Sequence, residues 1–193
     1  MLDLNSIMKY LENSISLKRY IHSINVSKTA QKLAEHYEGD AVKAEIAGLV
    51  HDCARGLDTS LQLDCLKEEG IAADDLTLSV KELLHGPAAV HICRRVFAIE
   101  DEEILSAVRY HTTGKENMSL LEKIIYLSDF IEPARSFPGV EEIRGLAFKS
   151  LDKALLMAFN SSIEYILSKN GFIHTDTILA RNYLLKEIQG RIF

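Results

Sequence analysis

Residues 40–53 read DAVKAEIAGLVHDC. Val42, Ile46, Leu49, Val50 and Cys53 fall at i, i+4, i+7, i+8 and i+11, which lays their side chains along one stripe of a helix. Asp40, directly after Gly39, is placed to cap the N-terminus of that helix. At its other end stands His51-Asp52, where the chain leaves the apolar segment. An adjacent imidazole and carboxylate can both reach one divalent ion, and the carboxylate can bridge to a second. Alone, that dipeptide is too common to carry a function.

The same period governs the flanks. Upstream, Val26, Ala30, Leu33, Ala34 and Tyr37 repeat the spacing within 20–38. Downstream, Asp58-Thr59-Ser60 offers caps for a helix through Leu61, Leu63 and Leu66 that stops near Gly70. Gly86-Pro87 puts proline at a first helical position, leading Val90, Cys93, Val96 and Phe97. The acidic run 100–103 suits the positive end of a helix reaching about Tyr110. Ser119 and Glu122 make a capping box for an apolar helix through Ile131. Pro133 and Pro138-Gly139 punctuate a loop, and helices over about 141–169, broken or whole, and 176–189 follow. With no alternating strand run and no repeat, the chain reads as all-α.

The bulk numbers bound the function. A chain of 193 residues suits one domain spanning 1–193. It can bury roughly 70% of its unfolded surface, so a metal is not needed for folding. Cys53, Cys65 and Cys93 form no CxxC pair and read as reduced thiols of a cytoplasmic protein. The N-terminal Met1 to Ser6 stretch lacks a basic segment followed by an apolar one, and no run of about 18 apolar residues appears, so neither secretion nor a membrane span is expected. A net charge of −6 disfavours long nucleic acid. It permits a small phosphorylated ligand if metal and local cations offset the charge.

Four other residues belong with His51-Asp52. His22 lies near the start of the first amphipathic helix, His85 at the helix start before Gly86-Pro87, and His111 at a helix end. Asp129 sits inside the apolar IIYLSDFI segment of residues 124–131, where a carboxylate is costly unless a cation or strong hydrogen bonds compensate. A histidine at a helix end is usually a cap or a surface residue. His36, on a polar flank, and His91, off its apolar stripe, fit that description. His174 precedes Thr175-Asp176-Thr177 at a helix N-terminus, a ready anion site.

In order, His22, His51-Asp52, His85, His111 and Asp129 resemble the HD-domain superfamily, in its members with an extra histidine pair. RYHTTG at 109–114, LEKIIYLSD at 121–129 and IEPARSFPGV at 131–140 are similar to its YqeK-type branch, as are HGP at 85–87 and TILARN at 177–182. The likeness runs from about residue 19 to 182. Ser128, where alanine is expected, is its one noted departure.

The resemblance implies a helical bundle with a metal site in its core, and a symmetrical bis(5′-nucleosyl)-tetraphosphatase. Such an enzyme splits diadenosine tetraphosphate into two ADP with a metal-activated water. Iron is the expected metal, as one or two ions, with manganese or cobalt as alternatives. His22, His51, Asp52 and Asp129 would hold one ion. His85 and His111, with Asp52 as a bridge, would hold a second or contact phosphate, which makes Asp52, His85 and His111 the expected catalytic residues. Arg19, Arg55 and Arg135 are candidate phosphate clamps, since arginine pairs bidentately with phosphate. His174 and Thr177 are candidates for the second nucleotide, and Glu132 for orienting a ligand histidine. A homodimer is a possible assembly.

Other readings share parts of the pattern. Alarmone hydrolases carry HDxxED, but HDCARG at 51–56 lacks the ED, and Thr112-Thr113-Gly114 is not the GYP of cyclic-dinucleotide phosphodiesterases. HD-type di-iron oxygenases share the ligand order. A module that senses a nucleotide without cleaving it is the non-enzymatic alternative.

Overall fold

The computed structural model describes residues 3–190; Met1, Leu2 and 191–193, the ends of the expected domain span, lie outside the described residues. Among the described residues there are eleven helices and no strand. They are α1 (Leu4–Ser14), α2 (Leu17–His36), α3 (Ala41–Val50), α4 (Thr59–Glu68), α5 (Asp75–Ser79), α6 (Lys81–Arg95), α7 (Glu102–Tyr110), α8 (Leu120–Ile131), α9 (Val140–Ala147), α10 (Leu151–Ser168) and α11 (Thr175–Gln189).

Local chemistry starts most of these helices where the sequence indicates. The Asp40 carboxylate accepts from the N–H groups of Val42 and Lys43 at the head of α3. Ser119 and Glu122 close the capping box of α8. The 141–169 segment is broken, into α9 and α10. Two helices lack a counterpart in the sequence reading. The first, α1, buries only Ile7 and Leu11, one turn apart, behind an Asp3 cap. The five-residue α5 is too short to display a period, and is started by Asp74 bonding Thr77.

One expected boundary is corrected. Pro87 does not begin a helix: α6 starts at Lys81, and Pro87 lies within it. A proline there has no N–H to donate to the carbonyl four residues back, that of Leu83, so local propensity opposes the turn. Packing overrides it. Leu84, His85, Gly86, Ala88 and Ala89 are all buried, and α6 lies so close to α7 that a Cβ on Gly86 would meet the Arg109 carbonyl oxygen at 2.8 Å. His85 therefore sits in mid-helix rather than at a helix start.

The core is built where α2 packs on α3 and α8, and α3 packs on α7 and α8. Gly48 permits the α2–α3 contact, since a Cβ there would lie 2.8 Å from the Ser27 Cα. Cys53 and Cys93 are buried in this core and Cys65 is half-buried, all as free thiols. Among the described residues, no helix is long and apolar enough to cross a membrane.

Candidate metal centre

The packed helices bring all six expected ligands together. His22 comes from α2, His51 and Asp52 from the C-terminal end of α3, His85 from α6, His111 from the end of α7, and Asp129 from α8. His22 Nε2 lies 3.0 Å from Asp129 Oδ1, and His51 Nε2 lies 4.0 Å from the same oxygen. The Asp52 carboxylate divides its two oxygens. Oδ2 faces His51 Nε2 at 3.8 Å, while Oδ1 faces His85 Nε2 at 3.1 Å and His111 Nε2 at 3.6 Å. Two overlapping groups result, one around His22, His51 and Asp129 and the other around His51, Asp52 and His111.

Helix ends orient two of the imidazoles. His51 and His111 each follow the last residue of a helix with a helical backbone, so each ring folds back on its own last turn. His51 Nδ1 donates to the Gly48 carbonyl and His111 Nδ1 to the Val108 carbonyl, both at 2.7 Å. A carbonyl only accepts, so in the neutral ring the proton is on Nδ1 and the Nε2 lone pair points into the cluster. His51 Nε2 is buried with no hydrogen-bond partner. An orphaned buried acceptor costs about 1–3 kcal/mol, and a cation removes that cost. His85 and His111 present their Nε2 atoms to each other at 3.0 Å. That is the spacing of two neighbouring ligands on one ion with bonds of about 2.1 Å. The donor set, imidazoles and carboxylates, suits a divalent first-row ion.

The charges agree. Burial pushes the His51 imidazole down to about 4, which keeps it neutral and able to bind metal at ordinary pH. Burial likewise lowers His85. Burial is the largest influence on His22 and disfavours its charged form, but the hydrogen bond and charge of Asp129 and the hydrogen bond to Glu132 together outweigh it, and its pKa is raised. Burial works against both carboxylates as well. Hydrogen bonding from His22 and the charges of His51 and Arg135 hold Asp129 well below the usual range, and His51, His111 and His85 do so for Asp52.

A second layer holds the first. Glu132 is buried at the end of α8, where its Oε1 lies 3.2 Å from His22 Nδ1. Its Oε2 accepts from Asn25 at 3.0 Å and from the Ala134 N–H at 2.7 Å. The sequence reading placed Glu132 here but missed Asn25, although Asn25 is three residues from His22 on the same helix face.

His22, Asp52 and Glu132 open onto a cavity of about 900 Å³, whose wall also carries Arg19, Arg55 and Arg135. Arg19 reaches Asp52 Oδ2 at 3.4 Å. Arg55 lies 3.5 Å from Asp52 Oδ1 and 3.2 Å from His85 Nε2. Arg135 donates from Nε to the Asp129 carbonyl at 2.8 Å and from Nη2 to its carboxylate. All three expected clamps thus border the metal cluster.

His174 and Thr177 are placed elsewhere. His174 caps α11, its Nδ1 accepting from the Asp176 N–H at 3.1 Å, and its Nε2 lies 3.2 Å from both Thr77 Oγ1 and Asp74. It lines a separate cavity of about 150 Å³ with Arg109, Tyr110, Thr112 and Thr113. Thr177 is buried in the first turn of α11, outside the walls of both cavities. The link to the cluster is Thr112, given no role by the sequence: its hydroxyl lies 3.4 Å from His85 Nε2 and 3.2 Å from His111 Nε2. His91 and His36 lie apart from the cluster; His91 pairs with Glu69, and His36 stacks edge-on against Tyr37 and Phe148.

The HD domain profile matches residues 19–134. A protein of Halalkalibacterium halodurans named "Bis(5'-nucleosyl)-tetraphosphatase, symmetrical" is 44% identical over 88% of this chain and 90% of its own length. One of the same name from Bacillus subtilis is 38% identical over 91% and 94% of the two chains. The crystal structure of a predicted HD superfamily hydrolase involved in NAD metabolism, from Clostridium acetobutylicum, superposes with a TM-score of 0.94. It is 46% identical, and the match covers 97% of this chain and 99% of that one. On the profile match over residues 19–134 and the identity to these relatives across nearly their whole length, the chain belongs to the HD-domain family, and within it to the family of the symmetrical bis(5′-nucleosyl)-tetraphosphatases.

Proposed function

We propose that this protein is a metal-dependent hydrolase that cleaves diadenosine tetraphosphate symmetrically into two ADP. One observation carries the reading. A buried carboxylate, Asp52, is divided between two histidine clusters at the floor of a cavity walled by three arginines. The names of the relatives point to the same reaction.

His22, His51, Asp52 and Asp129 would hold one ion, and Asp52, His85 and His111 a second. Iron is the proposed native metal, with manganese or cobalt able to replace it. When bound, the metal supplies Lewis acidity and a water of lowered pKa. The residues of the chain supply the rest. Asp52 fixes the spacing of the two clusters through its two oxygens. His51 and His111, locked by their Nδ1 bonds, keep their lone pairs on the reacting side. Glu132 and Asn25 hold the His22 ring. Arg19, Arg55 and Arg135 neutralise phosphate oxygens along the polyphosphate, which is most of what phosphoryl transfer asks of a protein. They let a chain of net charge −6 accept a polyanion. His174 would serve the second nucleotide through the cavity that Thr112 borders, whereas Thr177, buried outside its walls, would act only by holding the first turn of α11. Every ligand comes from α2–α8, so one domain carries the site, and three free thiols agree with a cytoplasmic protein.

The test is product analysis. Anaerobically purified, metal-loaded protein incubated with diadenosine tetraphosphate should give ADP as sole product on chromatography. AMP plus ATP would contradict symmetrical cleavage. Tight ADP binding without turnover would favour a nucleotide sensor instead.

A further inference from the structure

The 900 Å³ cavity has a second character besides charge. Leu17 and Ile21 line it while remaining 70% and 49% exposed. They stand four residues apart on α2, so their side chains form one continuous patch on a single helix face. Arg19 and His22, on the same two turns, line the same cavity at its charged floor. Phe137 adds an aromatic ring to the lining from the loop after α8. That ring is steadied by an edge-on contact with Phe130, at 5.0 Å between centroids and 72° between planes. Large apolar side chains left in water beside a polyphosphate site have no role in the core.

We infer that Leu17, Ile21 and Phe137 form a platform for one nucleobase of the substrate. The inference rests on the proposed function and names how that site selects nucleosides rather than bare phosphates. Phosphate oxygens meet the arginines and the metal cluster, while the flat face of the base covers the apolar wall, in one cavity large enough for both. A base laid on this wall takes apolar side-chain surface out of water, so the platform sets affinity for the nucleoside and leaves the reacting phosphates to the arginines.

The experiment compares two probes on the manganese-loaded protein by calorimetry: ADP, which carries a base, and inorganic pyrophosphate, which does not. In the L17S/I21S double variant, both changes are on an exposed helix face and leave the core intact. ADP affinity should fall at least about tenfold, with pyrophosphate affinity unchanged. KM for diadenosine tetraphosphate should rise with kcat largely kept, and I21L should retain wild-type affinity. Equal weakening of both probes, unchanged ADP affinity, or no ADP binding by the wild type would overturn the platform. If the wild type binds ADP but does not cleave diadenosine tetraphosphate, the hydrolase reading fails, and the ADP–pyrophosphate comparison still decides the platform.

Discussion

His85 Nε2 and His111 Nε2 face each other at 3.0 Å, with Asp52 Oδ1 at 3.1 Å from the first and 3.6 Å from the second. His111 holds its Nδ1 proton on the Val108 carbonyl, and Arg55 donates toward His85 Nε2. With both lone pairs turned inward, the pair is arranged to share a cation.

In the two-ion arrangement proposed above, H85Q and H111Q should each lose one ion per chain relative to the wild type, and lower kcat by about 100-fold or more. Metal analysis of anaerobically purified protein separates the outcomes. Two retained ions would mean that the pair serves phosphate rather than metal.

Arg135 braces Asp129 and borders the cavity. R135A should lower kcat/KM for diadenosine tetraphosphate by at least about tenfold, roughly 1.4 kcal/mol. R135K should recover little of it, because an ammonium cannot make the two-pronged contact. Steady-state kinetics decide the matter, and an unchanged kcat/KM would remove Arg135 from phosphate binding.

Glu132 touches no cavity phosphate in this scheme; it orients His22 and anchors Asn25 and the Ala134 N–H. E132Q should weaken metal binding about 10–100-fold. Titration with manganese, compared with E132D as the conservative control, reads the effect. Loss of folding stability with unchanged metal affinity would make Glu132 purely structural.

The metal-free protein should be sensitive to acid. His51 is about 4 in the fold against about 6.5 in an unfolded chain, so between those values the unfolded state binds the extra proton. Stability from this group is therefore full above about pH 6.5 and drains away as pH falls, by about 2 kcal/mol at pH 5. The lowered His85 acts in the same direction and the raised His22 opposes it. Denaturant unfolding of chelated protein at pH 7 and 5 measures the balance, and H51Q should flatten the slope.

G48A should destabilise the protein by about 2 kcal/mol or more, because the added Cβ would press on Ser27 backbone rather than on a movable side chain. The same contact sets the α2–α3 spacing, so metal affinity should fall along with the melting temperature. A variant as stable as wild type would show that α2 and α3 can separate without strain.

Much of this protein is written locally. The helical period of 40–53, the Asp40 cap and the Ser119–Glu122 box act within a few residues, so α3 and α8 are legible in the sequence with their boundaries. The six candidate ligands that the fold brings together were legible too, and so was the nearness of Glu132 to one of them. Local rules failed at Pro87, where burial of Gly86 against α7 carries the helix through a residue that ordinarily starts one. They were also silent on α5, whose five residues hold no period.

Only the tertiary structure divided the Asp52 oxygens between two clusters, set Thr112 beside the histidine pair and left His174 in a separate cavity. It also put Leu17 and Ile21 on the wall above the metal floor. The reason is range. Capping and periodicity depend on neighbours one or two turns away, whereas convergence of α2, α3, α6, α7 and α8 depends on how closely they cross. Small contacts such as Gly48 on Ser27 and Gly86 on Arg109 set those crossings.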